Sequence, residues 1–179
     1  MTPQEAAVRT GELLGVPAGI EHGEAVVDVA GEDWVAAATA VRDDPALRLV
    51  LFDLLTGVDE DDALEVVLRL WSPAGRHALR LRTRCPRARP VVPSVSGVFA
   101  GAAWHERATA EMFGVVFEGH PSPAPLLLPD GFAGHPLRKD FVLVSRVVRE
   151  WPGAVDPAAG PPRRRGPTAP GVPEGWERE

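Results

Sequence analysis

The chain of 179 residues carries a net charge of −6, with 45% hydrophobic and 25% charged residues, the balance of a soluble globular protein able to bury one sizeable core. The acidic excess argues against a nucleic-acid partner. Cys85 is the one cysteine, which excludes an internal disulfide, a thiolate zinc site and an iron–sulfur centre held by this chain alone.

Residues 4–14 read as a short amphipathic helix stopped by Gly15 and Pro17. The start lacks the basic and apolar regions of a signal peptide, and the longest apolar run is broken by Asp53 and Gly57, so a cytoplasmic location is expected, with membrane association only through partners. EAVVDVA, 24–30, predicts a strand; Gly31-Glu-Asp33 then opens a helix over WVAAATAVRDD, stopped before Pro45. The nearly all-apolar LRLVLFDLL, 47–55, predicts a strand covered on both faces. GVDEDDA makes a turn, its acidic run lacking the spaced ligands of a calcium loop.

ALEVVLRLW places Leu64, Val66, Leu68 and Leu70 on one face, and ALRLRTRC opposes Leu79, Leu81 and Thr83 to Arg80, Arg82 and Arg84; Ser72-Pro-Ala-Gly75 joins them as a hairpin. Two such strands make a half-covered sheet, and the arginine stripe reads as a solvated face partly paired with Glu65. The expected fold is α+β: a two-layer domain with a mixed or mainly antiparallel sheet covered by helices, then an extended Gly/Pro-rich C-terminal segment. Residues 94–114 show helical spacing with Gly114 as C-terminal cap. The division is residues 1–114 for the α+β domain, 115–149 for an extended docking segment and 150–179 for a flexible arm whose seven prolines and few core formers cannot build a core.

The chemistry-bearing block is EMFGVVFEGHPSPAPLLLPDGFAGHPLRKDF, 111–141, in which Phe117-Glu-Gly-His-Pro121 is echoed by Phe132-Ala-Gly-His-Pro136. In each copy Gly119 or Gly134 permits a positive φ, and Pro121 or Pro136 forces the preceding His120 or His135 into an extended conformation. Each imidazole therefore projects from a stiff corner. A metal site would need further ligands such as Asp130 and Asp140, which lack telling spacing; a histidine hydrogen-bonded to nearby backbone is the default. His105-Glu106 fails the HExxH zinc pattern because position 109 is Thr. Arg107 and Glu111 are spaced to pair on a helix, and Glu106, with no intrahelical partner, is expected to face another surface. No phosphate loop, dinucleotide fingerprint or nucleophile elbow is present. Leu126, Leu127 and Leu128 between proline corners call for cover by another protein.

Trp104-His-Glu-Arg107, Glu111-Met-Phe-Gly114, Phe117-Glu-Gly-His-Pro121, Leu127-Leu-Pro129 and Gly134-His-Pro-Leu-Arg-Lys-Asp140 together resemble the thirty-kilodalton subunit, designated C, of the proton-pumping NADH:quinone oxidoreductase, respiratory complex I. Leu54-Leu-Thr-Gly-Val-Asp59, Glu65-Val-Val67 and Pro93-Ser-Val95 fall where that family has similar stretches, so the likeness runs from about residue 25 to 145. The resemblance implies a non-catalytic hydrophilic-arm subunit beside the quinone-reducing module, on the cytoplasmic side of the membrane. It implies no cofactor in this chain, flavin and iron–sulfur clusters on partner subunits, and an extended C-terminal segment clamping neighbours. The residues it puts at the partner interface are Glu106, Arg107, Glu111, Phe113, Gly114, Gly119, His120, Pro121, Gly134, His135, Pro136, Arg138, Lys139 and Asp140. The chain departs from the pattern at Ala108, Ala110 and Ser122-Pro-Ala-Pro125, where lost charges would weaken complementarity to a partner and suggest a divergent paralogue. Other readings are the homologous subunit of a membrane-bound hydrogenase or formate hydrogenlyase and a freestanding metal-dependent enzyme using His120 and His135.

Overall fold

The computed structural model describes residues 1–142; the arm expected over 150–179 and the end of the docking segment lie outside the described residues. Helix α1, Pro3–Leu14, starts with a capping box in which the Thr2 hydroxyl accepts from the Glu5 amide and the Glu5 carboxylate from the Thr2 amide. Strands β1, Ala18–Glu21, and β2, Glu24–Asp28, form a hairpin. A 3-10 turn, Gly31–Asp33, leads into α2, Trp34–Asp43, with Trp34 wholly buried. Strands β3, Leu51–Asp59, β4, Ala63–Ser72, and β5, His77–Pro86, follow, then β6, Val91–Pro93, helix α3, Ala102–Phe113, and β7, Val116–Glu118.

Five strands form one mixed sheet in the order β1-β2-β5-β4-β3, antiparallel except where β2 runs parallel to β5; β6 and β7 pair in parallel as a separate ribbon. The expected α+β class and the β4–β5 hairpin are both present, with Leu64, Val66, Leu68 and Leu70 buried against Leu79 and Leu81. The core lies between this face and the helices, and α1 is tied to the end of α2 by an Arg9–Asp44 ion pair at 2.5 Å. Hydrogen bonding to Arg9 holds the Asp44 carboxyl below its ordinary value despite burial.

The opposite sheet face is open and carries alternating charge. Arg69 bridges Glu24 and Asp53, Arg82 bridges Asp28 and Glu21, and Arg84 meets Glu60. The arginine stripe is thus largely neutralised by its own sheet, each exposed pair adding about 0–1 kcal/mol.

Three expectations need correction. The strand expected at 47–55 starts only at Leu51, because the Asp44 carboxylate accepts from the Ala46 and Leu47 amides and turns the chain, and Arg48 adopts φ 46. Leu47 and Leu49 are buried, yet from a loop, whereas β3 is an edge strand exposing Leu51, Leu54 and Val58; its apolar run does not mean cover on both faces. The helical reading of 94–114 holds only from Ala102, since turns occupy the residues before it. Strands β1, β6 and β7, three or four residues long, are too short to show a period.

Helix α3 packs on the edge strand. A Cβ built on Gly57 of β3 would lie 2.6 Å from the Phe113 ring, so the close approach requires glycine there. Gly57→Ala is expected to cost about 1–3 kcal/mol through overpacking. Thermal denaturation of the single variant and of Gly57→Ala with Phe113→Leu checks this: the second substitution should recover part of the loss.

Candidate functional site: the wrapped end of helix α3

The last turn of a helix leaves carbonyls without intrahelical donors. In α3 all four are met. Gly114, at φ 73, donates its amide to Ala110 O at 2.8 Å, as expected of a C-terminal cap. The next three are met from a strap more than twenty residues downstream: His135 Nδ1 donates to Glu111 O at 2.9 Å, the Leu137 amide to Met112 O at 3.1 Å, and Arg138 Nε to Phe113 O at 2.6 Å. Cationic Arg138 here also meets the negative end of the helix dipole. A Cβ on Gly114 would fall 2.5 Å from His135 Nε2 and 2.8 Å from the Arg138 guanidinium, so this glycine serves both the left-handed cap and the seating of the strap.

The strap is fastened in two further places. Arg107 donates to the carbonyls of Ala124 and Pro125 at 2.7 and 2.6 Å, and the Glu111 carboxylate accepts from the amides of Leu126, Leu127 and Leu128. The expected Arg107–Glu111 pair is therefore replaced: each grips the leucine loop, because proline corners leave its backbone groups without partners of their own. At the far end Asp59 accepts from the Lys139 amide at 2.6 Å and pairs with Arg87, which also reaches Asp140. Burial opposes ionisation of Asp59, but the Lys139 amide and Arg87 outweigh it and hold the carboxyl below its ordinary value.

Glu106 is wholly buried. Its carboxylate accepts from Ser94 Oγ at 2.6 Å and the Val95 amide at 2.7 Å, fixing the turn after β6, and His120 Nε2 stands 3.8 Å away. Burial pushes this carboxyl up, against the hydrogen bonds that favour its charge. His120 Nδ1 accepts from the Ser122 amide at 3.0 Å, so Nε2 carries the proton that it shares with Ala103 O at 3.0 Å. His105 Nδ1 lies 3.1 Å from the carbonyl and 3.4 Å from the amide of Leu55 on the β3 edge.

The predicted residues converge on one body, α3 and what wraps it. Both His-Pro corners have the expected positive-φ glycines, Gly119 at 80° and Gly134 at 94°, and both rings are hydrogen-bonded to nearby backbone. With both ring nitrogens of His120 committed, a His120–His135 metal pair has no free lone pair on the first histidine, and no three metal-capable side chains cluster among the described residues. Glu106 and Phe113 face the chain's own interior, Glu106 meeting the Ser94 turn, whereas the Lys139 and Asp140 side chains are about two-thirds exposed. Sequence reasoning passed over Asp59, Arg87 and Ser94. The signal for Asp59 was its place as last residue of an apolar strand, within the acidic run read as a solvated turn.

Two outcomes follow for stability. Glu106→Ala leaves the Val95 amide unpaired and the Ser94 hydroxyl with only Ser96 as partner, and should cost about 1–3 kcal/mol, with Glu106→Gln costing less in the same denaturation assay. Asp59 contributes stability above its unfolded pKa that is lost as pH falls through its depressed folded value. The protection factor of the Lys139 amide, its exchange measured against the intrinsic rate at each pH, should fall as Asp59 is protonated, and Asp59→Asn should abolish that dependence.

The profile of the family described as "Respiratory-chain NADH dehydrogenase, 30 Kd subunit" matches residues 27–147. Among NADH-quinone oxidoreductase subunits designated C, that of Roseiflexus castenholzii is 43% identical over 71% of this chain, that of Salinispora tropica 39% over 82%, and that of Acidothermus cellulolyticus 40% over 82%. The aligned parts span 75%, 60% and 76% of those three proteins. Among solved structures, a trypsin-resistant fragment of Nqo5 superposes with TM-score 0.54 at 21% identity, covering 67% of this chain and 98% of that one. A chain of an archaeal membrane-bound sulfane sulfur reductase superposes with TM-score 0.66 at 22% identity, covering 79% and 86%; both likenesses speak to fold. On the match from 27 to 147 and identities near 40% to these oxidoreductase subunits, the chain belongs to the family of the 30 kDa subunit of respiratory-chain NADH dehydrogenase.

Proposed function

We propose that the chain is a non-catalytic subunit of the hydrophilic arm of a proton-pumping NADH:quinone oxidoreductase, on the cytoplasmic side of the membrane, where it holds the quinone-reducing module in register. Electron transfer and quinone reduction take place on partner subunits that carry flavin and iron–sulfur clusters. The chain itself binds no cofactor and contributes partner contacts through the block from Glu106 to Asp140.

One observation carries this reading: the ionisable side chains of that block are spent on backbone. Arg107, Glu111, His120, His135 and Arg138 each hold main-chain groups of the strap or of α3. A residue so engaged fixes shape, and catalysis asks instead for groups free to exchange protons or bind reactants. What the strap presents outward, Leu127, Leu137 and Lys139, is the mixed apolar and charged surface of a docking face.

Tagged in its host and recovered by gentle solubilisation, the chain should co-purify with flavin and iron–sulfur subunits and with NADH-driven quinone reduction. Its recovery alone from the soluble fraction, without that activity, would refute the proposal. Lys139→Ala removes an exposed side chain whose ion-pair partner, Asp61, is itself exposed, so it should shift the melting temperature little while lowering the recovered complex by about three- to tenfold.

A further inference from the structure

Helix α3 and strand β7 enclose an open groove of about 560 Å³, floored by Ala110, Val115, Val116 and Phe117, with His120 and His135 among its other lining residues. It has a backbone edge. In the parallel β6–β7 ribbon, the Val116 amide donates to Pro90 O and the Ser94 amide to Glu118 O, each at 2.8 Å. Val92 therefore makes the ladder contacts, and Phe117 turns its own amide and carbonyl to the other side. The carbonyl accepts from the His120 amide at 3.3 Å, which leaves the Phe117 amide, on the side away from β6, as a donor without a partner among the described residues.

Two guanidiniums flank the groove, whose lining also holds the buried Glu106. Arg107 lines it, and Arg138 stands at its Gly114 end. Both guanidiniums hydrogen-bond carbonyls, and Arg107 also lies over the Trp104 ring; like Arg48, Arg76 and Arg89 they have no carboxylate within ion-pair distance among the described residues, whereas Arg9, Arg42, Arg69, Arg80, Arg82, Arg84 and Arg87 each have an acidic partner. In a chain of net charge −6, two guanidiniums beside an apolar slot and without an ion-pair partner are each able to take an incoming carboxylate. The Glu111 carboxylate beside them is occupied by three amides.

We propose that this groove receives an extended segment of a partner protein in the assembly, one that bears acidic and apolar side chains. Its backbone adds to the Phe117 edge, an apolar side chain fills the slot over Val115 and Ala110, and a carboxylate lies against Arg107 or Arg138. The inference rests on the assembly reading above and names the feature of the partner that this part of the chain reads.

The test uses the full chain in its host, with the photo-crosslinking amino acid p-benzoylphenylalanine in place of Val116, an exposed residue on the groove, and, as control, in place of the equally exposed Val8 on α1. After irradiation and purification of the complex, mass spectrometry should find the adduct from position 116 on an Asp- or Glu-bearing segment of another subunit. Arg107→Glu should lower its yield about tenfold, Arg107→Lys should restore most of it, and Arg89→Glu, the same charge change at an exposed turn, should leave it unaltered. An intact complex with no adduct, an adduct on residues 143–179 of this chain, an adduct on a segment without acidic residues, or a yield indifferent to Arg107→Glu would each overturn the groove assignment while sparing the assembly reading. A chain that joins no complex would overturn the assembly reading and this one with it.

Discussion

The C-terminal end of α3 is the constraint on which this architecture turns. A helix end inside a protein must find donors for its last carbonyls, and here three of four come from residues 135–138. That requirement converts a Gly/Pro-rich stretch with little regular structure into a fixed feature. It sets Gly114 at positive φ, brings His135 and Arg138 against it, and thereby delivers the Lys139 amide to Asp59 at the end of β3. The strap is consequently joined to the sheet as well as to the helix, and α3, β3 and the loop of three leucines become one rigid unit.

Within that unit polar and apolar constraints divide the work. Apolar contact places α3 on β3, where Gly57 and Phe113 allow no added atom. Hydrogen bonds then determine what lies over α3: Glu106 the turn after β6, His120 the first proline corner, Glu111 the leucine loop. A buried carboxylate such as Glu106 is costly unless its bonds are complete, and its two donors both belong to the 94–95 turn. The polar network thus specifies one arrangement of segments that apolar packing alone would leave degenerate.

How much of this was legible in the sequence depended on the range of the interaction. Period-two alternation exposed β4 and β5, and glycine and proline chemistry exposed the cap at Gly114 and the two histidine corners, because both signals are local. The β3 reading failed at its start: an apolar run does not by itself report a strand or its cover, since Leu47 and Leu49 are buried from a loop that Asp44 turns while Leu51 and Leu54 are exposed on the strand. Arg107 and Glu111 had the right helical spacing for a pair, but competing backbone groups seventeen or so residues downstream were invisible to spacing. The position of Asp59 at the end of an apolar strand marked it as unusual, but its bond to Lys139, eighty residues away, had no local trace. The family resemblance supplied the order of the motifs, and geometry supplied the reason for it: each conspicuous residue holds another motif in place.

The contact between His105 and Leu55 bears on the life of the chain before it meets its partners. An edge strand exposing Leu51, Leu54 and Val58 is a template for pairing with other copies. His105 Nδ1 stands against the outward amide and carbonyl of Leu55 and bonds one or the other according to its tautomer, and the register of β3 against β4 is broken between Phe52 and Leu54. An incoming strand from a second molecule meets a plugged position next to an irregular one, so newly made copies awaiting assembly are poor seeds for one another.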